Sequence, residues 1–279
     1  MLHCAKSGSV DTVRELRTGQ DRALTVVTDS PVLSWADGSL RVGDVGPAAR
    51  WETIGITGES VVTRAPALVT SQVWVAAAVA GQTVALAFLD RLEVSWDGGP
   101  LRTHIPARPV PPQLAVGSGF VAWVERDGGS DVVRVRTDTG RDATYGAGAR
   151  ARMPVAQGTF LAFVDADGVN GVVSPGRPEA PDHRQVAWTA DTGFRHPPAV
   201  ASDLGGEGAG VCWEDRAALR AGTGDIDVVC ASGVRVLRVG DQSAPSILRD
   251  DSGWSLLFRD GEQLWLATWS VAVDGQPAP

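Results

Sequence analysis

The residues of this chain best suited to chemistry are two cysteines, Cys212 and Cys230, and a series of acids that recurs along the sequence. Cys212 lies in Gly210-Val211-Cys212-Trp213-Glu214-Asp215-Arg216, and Cys230 ends Asp225-Ile226-Asp227-Val228-Val229-Cys230. Both stretches read as short apolar strands joined by a polar turn. Cysteines that face each other on adjacent antiparallel strands meet disulfide geometry where the pair is not hydrogen-bonded. A bridge here would close a loop of about 18 residues and stabilise by roughly 3 kcal/mol on the chain-entropy model. The competing reading is a pair of buried thiols acting as small hydrophobes. The long intervening turn, which a bridge would tie, favours the disulfide. No histidine lies near either cysteine, and their spacing is wrong for zinc.

The acids are Asp37, Glu125, Asp165, Asp215 and Asp260. Placed at equivalent ends of equivalent strands, they would form an acidic rim able to hold a cation or a basic partner. The plainer alternative, and the favoured one, is that each accepts backbone N–H groups in its own turn or pairs with a nearby arginine such as Arg126, Arg216 or Arg259. Asp165, Asp167 and Asn170 alternate as oxygen ligands do in a calcium loop, with Gly168 for the bend. That loop lacks the later bidentate glutamate and falls where a hairpin turn is needed, so a turn is the preferred reading and no cofactor is expected. His104, His183 and His196 lie in Pro-rich or Arg-flanked connections, with His183 read as a solvated loop residue. No nucleophile elbow, phosphate loop, dinucleotide fingerprint or zinc helix is present.

The elements that must position these residues announce themselves by repetition. Six segments share an apolar–apolar–small–aromatic pattern, usually followed two residues later by an acid. They are anchored at Trp35, Ala77, Trp123, Phe163, Trp213 and Phe258, about 45 residues apart, the period of a four-stranded propeller blade. The copy at Trp74-Val75-Ala76-Ala77 lacks the acid. Pro66, Pro112, Pro154, Pro198 and Pro245 each precede a short apolar run, a place that suits the first residue of an inner strand. The aromatic segment is then the second strand of each blade. Third strands follow at 84–89, 131–137, 171–174, 226–231 and 263–268, and outer strands at 92–96, 185–189 and 234–239. The expected fold is all-β: a six-bladed β-propeller of four-stranded antiparallel blades over residues 11–279, after a tail at 1–10. Its first blade uses 24–28, 32–35, 39–42 and 50–54. The leftover strand at 12–17 then closes the ring by completing the last blade, which ends near Val273, because an exposed sheet edge is an aggregation template. Tryptophans at repeat positions are expected in the core between sheets, with Trp51, Trp96 and Trp188 partly exposed on outer strands.

Composition narrows the function. With 43% apolar and 21% charged residues, 33 Gly and 17 Pro, the 279-residue chain is that of a globular protein that turns often. Its formal charge of −8 argues against a nucleic-acid partner, which needs a basic surface. The longest apolar run, Val73 to Ala80, is strand-length and well short of the roughly 20 residues of a membrane helix. Residues 1–10 hold no signal-peptide apolar segment. Cys4, followed by Ala5-Lys6-Ser7-Gly8-Ser9, has the look of a lipoprotein linker after its acylated cysteine, although the apolar segment such a signal requires is missing. A terminal cysteine of no consequence is the simpler reading.

Trp213-Glu214-Asp215-Arg216 followed by Asp225-Ile226 resembles the Trp-x-Asp-x-Arg … Asp-Ile pattern of bacterial exported propeller repeats related to TolB-type propellers. Trp123-Val124-Glu125-Arg126 with Asp131-Val132 is a looser second copy. The resemblance implies a periplasmic, surface-anchored or secreted setting and binding of a protein or saccharide. TolB's additional α/β domain has no counterpart here, so its particular partners do not carry over. The expectation is a monomeric, non-catalytic binding module. The alternative is a propeller hydrolase or lyase with a metal or carboxylate site in an axial channel.

Overall fold

A computed structural model describes residues 2–4, 10–15, 21–28, 32–36, 39–43, 50–54, 60–64, 76–100, 103–147, 150–176, 183–188, 197–201, 210–216, 222, 224–231, 236, 241–250, 253–261 and 263–269. Every regular element among them is a strand, and every pairing is antiparallel. Among the described residues the short period of apolar residues and the frequent Gly and Asp turns give no helix, and none of them forms one long and apolar enough to cross a membrane. The strands group into two compact units, residues 1–112 and 113–279, a division that the even rhythm of the repeats does not show.

In the first unit, β1 (Leu2–Cys4), β2 (Val10–Glu15) and β3 (Asp21–Thr28) make a three-stranded sheet. A four-stranded meander follows: β4 (Val32–Ala36), β5 (Ser39–Gly43), β6 (Arg50–Ile54) and β7 (Ser60–Arg64). The next sheet holds β8 (Ala76–Ala80), β9 (Thr83–Ala87), β10 (Arg91–Ser95) and β11 (Thr103–Pro106), with β8 beside β4. In the second unit, β12 (Pro109–Gly117), β13 (Phe120–Asp127), β14 (Ser130–Thr137) and β15 (Asp142–Tyr145) form one meander. Another consists of β16 (Arg152–Gln157), β17 (Phe160–Val164), β18 (Gly168–Val173) and β19 (His183–Trp188). Two three-stranded sheets complete the unit: β20 (Ala199–Ala201), β21 (Gly210–Asp215) and β22 (Asp227–Cys230), then β23 (Gln242–Asp250), β24 (Gly253–Asp260) and β25 (Gln263–Trp269). Within this unit β20 lies beside both β16 and β23, so the first strands of successive sheets are neighbours, as in propeller blades.

Among the described residues there are seven such sheets, one more than the six aromatic repeats. The additional one is β1–β3, whose residues include no aromatic side chain and so gave no repeat to count. Three assignments change with it. Residues 24–28 belong to β3 and not to the sheet of Trp35. Part of the expected tail at 1–10 is strand β1, with Cys4 opposite Val13. Finally, β2 is hydrogen-bonded on both sides, to β1 and β3, and both its edges are therefore used within its own sheet. The expected end of the last blade near Val273 lies outside the described residues, as does most of 234–239; Val236 N–H does reach Val228 O, at 2.9 Å.

The two units also use the repeat differently. In residues 113–279 the aromatic segments are second strands, β13, β17, β21 and β24, as expected. In residues 1–112 the equivalent segments, β4 and β8, are the first strands of their sheets, so β10 is a third strand and β11, at residues 103–106, the fourth. A proline directly before the strand, Pro31 before Val32, marked β4 as a first strand by the same rule that located the others.

Three second strands of the second unit, β13, β17 and β21, are buried on both faces. All of Phe120–Val124 and Phe160–Val164 are buried, which explains continuous apolar runs where a one-sided strand would alternate. Side chains still point alternately, and the two faces meet different sheets. Phe160, Ala162 and Val164 pack with Val211 and Trp213 of the following sheet. Phe163, on the other face of β17, meets Tyr145 of the preceding sheet, with ring centroids 6.2 Å apart. On β21, Val211 and Trp213 face the preceding sheet, while Cys212 packs with Ile247, Leu256 and Phe258 of the following one. The repeat aromatics Phe163, Trp213 and Phe258 thus all press on the sheet before their own.

Close packing of this kind leaves Gly210 no room for a side chain. A Cβ there would sit 2.4 Å from Trp254 Cζ3 and 2.7 Å from Cη2, because the indole lies over the start of β21. Gly210→Ala is therefore expected to destabilise by about 1–3 kcal/mol. Chemical denaturation of the two proteins measures the difference, and truncating Trp254 to Leu should make the same glycine substitution nearly neutral.

Candidate functional site

The site that the sequence singles out is built by β21 and β22. Cys212 and Cys230 are in direct register, and Ala231 N–H donates to Val211 O at 2.8 Å. That bond flanks the cysteine pair and makes it the non-hydrogen-bonded kind, in which side chains approach most closely. The two form a disulfide, S–S 2.01 Å, with Cα atoms 4.0 Å apart. Both cysteines are buried, and the bridge packs in a cluster with Ala199, Ala201, Val228, Ile247, Leu256 and Phe258. It therefore staples the second and third strands of one sheet and fills the space between that sheet and the next.

Glu214 follows Cys212 on the same face. It is buried, and its Oε1 accepts the Ala244 N–H at 3.0 Å across the sheet boundary. Ala244 sits at positive φ in a bulge of β23, between Ser243 and Ser246 and directly before Pro245, and its N–H is turned out of the ladder. The same device recurs two sheet boundaries earlier. Met153, at positive φ in a bulge of β16 and directly before Pro154, donates its N–H to Gln113 Oε1 at 2.5 Å. Asp241 and Gln242 supply a third tie: Asp241 Oδ1 accepts Ile226 N–H, and buried Gln242 Oε1 accepts Val228 N–H, both at 3.1 Å. Sequence reasoning noted Pro154 and Pro245 but missed these acceptors. The signal was a proline whose preceding residue has an N–H to satisfy, next to a sheet with a buried Glu or Gln.

The acids of the expected rim separate by role. Asp215 and Asp260 end β21 and β24, Glu125 lies two residues before the end of β13, and Asp165 directly follows β17, so the four lie near the same ends of the second strands in the second unit. Glu125 Oε2 is 3.3 Å from Arg134 Nε, and the same arginine reaches Asp127 Oδ2 at 2.8 Å and Thr144 Oγ1 at 2.6 Å. Arg126 pairs with Asp131 at 3.0 Å, and Arg136 grips Asp142 with two nitrogens. Buried Asp165 directs Oδ1 to the N–H groups of Asp167, 2.9 Å, and Gly168, 3.1 Å, while its own N–H donates to Gly168 O. That is an Asx turn closing the β17–β18 hairpin. Asp167 is exposed, and Asn170 is a buried residue of β18 opposite Phe163 whose amide leans on Gly168 O at 3.5 Å. No group of three metal-ligating side chains occurs among the described residues. Asp37 lies outside them.

The remaining sequence candidates fall on strands. His104 is in β11 opposite Glu93, and His183 opens β19 opposite Val172, so neither is in a loop; His196 lies outside the described residues. Trp123 and Trp213 are buried, as core packing required, and Trp96 is half-buried. In the first unit Arg91 stacks over Phe88, its Cζ 4.0 Å from the ring centre, and binds Glu93 at 2.8 Å and Asp90 at 3.0 Å. The hydrogen bond to Glu93, then that to Asp90, raises its pKa further above the ordinary arginine value, so it is a fixed positive charge.

Two outcomes follow for the staple and its neighbour. Replacing both cysteines by Ala should cost roughly 3 kcal/mol in denaturant unfolding, and reduction of the parent should reproduce the loss. Glu214→Gln keeps an Oε1 acceptor for Ala244 and should be nearly neutral, whereas Glu214→Ala leaves that buried N–H unmet and should cost about 1–3 kcal/mol. Equal effects of the two substitutions would exclude the bond across the boundary as the reason for the glutamate.

No protein-family model matches the chain, and no curated protein matches it either. Solved structures similar to it include Kluyveromyces lactis Hsv2, 11% identical, with 86% of this chain and 74% of that one covered and a TM-score of 0.49. A nidogen/laminin complex is similar at 13% identity, 100% and 91% coverage and a TM-score of 0.42. Citrobacter koseri AztD follows at 12%, 97% and 82%, with a TM-score of 0.44. At such identities and scores these likenesses carry no functional argument.

Proposed function

We propose that the chain is a non-catalytic, propeller-type binding module of an exported or surface-anchored protein, recognising a protein or a saccharide as a monomer. The observation that carries this reading is what the repeat acids do. Asp165 closes a turn and Glu125 holds an arginine, so the residues that recur with the repeat serve the scaffold. What varies between repeats is then left for recognition, as is usual where loops ride on a rigid frame. The Trp213 to Ile226 pattern supports the TolB-type exported repeat, and the buried Cys212–Cys230 bridge supports an oxidising compartment, since such bonds persist outside the reducing cytosol. Cys4 as a lipid anchor belongs to the same proposal, although β1 places that residue in a strand and not in a linker.

Binding and compartment are tested separately. The purified chain is offered to a glycan array and cross-linked on intact cells of its source, and retention of one saccharide or protein class is the expected result. Turnover of simple glycoside, ester or uronide substrates would sink the non-catalytic reading in favour of a hydrolase or lyase. Melting in excess calcium and in chelator should give the same midpoint, and a rise of several degrees with calcium would favour that same alternative. For the compartment, cells are lysed in alkylating agent, and the peptides carrying Cys212 and Cys230 should be recovered joined; recovery of both as alkylated thiols would exclude export.

A further inference from the structure

Six Asp-Gly steps occur in the chain, at Asp37, Asp97, Asp127, Asp167, Asp260 and Asp274, of which the first and last lie outside the described residues. Such a step can rearrange without a catalyst. The glycine nitrogen attacks Cγ of the protonated Asp carboxyl, an N–Cγ bond forms, and the Cγ–OH bond breaks, the hydroxyl leaving as water with the amide proton to give a cyclic imide. Water then reopens the ring at Cγ, restoring aspartate, or at the main-chain carbonyl carbon, giving isoaspartate. The reaction needs a glycine N–H that is not already engaged, and it is slowed where a partner must first release the carboxyl group that swings onto it.

The four described steps differ on both counts. Gly98 N–H donates to Gln82 O at 2.9 Å, and Gly168 N–H to Asp165 Oδ1 at 3.1 Å, so both nitrogens are engaged. Gly128 and Gly261 are each the first residue of a two-residue hairpin loop, between Asp127 and Ser130 and between Asp260 and Gln263. At that position the N–H lies outside the ladder. Both glycines have positive φ, +56° and +59°, and nothing stands within 4 Å of where a Cβ would be. Asp260 is half-buried, whereas Asp127 is exposed. We infer that Asp127-Gly128 is a site of spontaneous isoaspartate formation, faster than Asp97, Asp167 and Asp260, with Arg134 as its brake. Arg134 Nη2 holds Asp127 Oδ2 at 2.8 Å and keeps the carboxylate from the glycine nitrogen. Isomerisation inserts a methylene into the main chain at the tip of the β13–β14 hairpin. It thereby displaces the carboxylate from Arg134 and loosens the hairpin from its turn inward.

The folded full-length chain is incubated in mildly acidic buffer, tagged with isoaspartyl methyltransferase and mapped by peptide mass spectrometry. The Asp127 peptide should be labelled before those of Asp97, Asp167 and Asp260, with Asp97 and Asp167 unlabelled while the protein stays folded. Arg134→Gln should raise the rate at Asp127 several-fold without changing the others, and Asp127→Glu, which keeps the charge, should abolish label in that peptide. Labelling of Asp97, Asp167 or Asp260 as early as Asp127 would overturn the ranking. So would absence of label at Asp127 over a period in which the unfolded chain is labelled there. An unchanged or slower rate in Arg134→Gln would overturn the role of the ion pair.

Discussion

A strand buried on both faces must satisfy two neighbouring sheets at once, and this constraint governs the second unit of the chain. On β21 it divides the residues by parity. Val211 and Trp213 answer to the sheet before, and Cys212 and Glu214 to the sheet after. Neither set can slip by one residue, because period-two alternation would exchange every contact for its opposite. The disulfide fixes β22 against β21 in that register, and the Glu214–Ala244 bond fixes the following sheet. Gly210 follows from the same constraint, since the Trp254 ring occupies the place of its side chain.

The polar residues that look available for chemistry are largely consumed by this architecture. Two inner strands, β16 and β23, carry bulges before their prolines; each bulge turns a main-chain N–H away from its sheet, and half-buried Gln113 or buried Glu214 of an earlier neighbouring sheet receives it. The cost of leaving such a group unmet in a closely packed interior is large enough to account for a buried carboxylate. Asp165 does the equivalent for a hairpin. The ion pairs along β13, β14 and β15 contribute little energy one by one, and two of them, to Glu125 and Asp127, share Arg134.

Much of this was legible in the residues. The all-β class, the antiparallel hairpins, the burial of Trp123, Phe163, Trp213 and Phe258 and the pairing of Cys212 with Cys230 all follow from local pattern, because alternation, turn residues and strand proximity act over short distances. The count of sheets did not follow, since β1–β3 carries no aromatic and the repeat was counted by aromatics. Nor did strand order in residues 1–112, where the same apolar segment serves as a first strand in β4 and β8 and as a second strand in β13 and β17. Nothing within five residues of apolar sequence distinguishes these positions; they differ in what lies beyond.

The sequence by itself therefore determined most of the apolar strands, though not β1, β7, β11 or β15, and which cysteines could meet. Tertiary structure decided how those strands are partitioned into sheets, and which of the two faces of β21 each side chain serves. It also decided the partners of Gln113, Glu214 and Gln242, whose acceptors reach residues 40, 30 and 14 positions away. The physical reason is one of range. Backbone alternation is set by neighbours in the chain, whereas the satisfaction of a turned-out N–H or the filling of a gap beside Gly210 depends on which sheet is packed opposite.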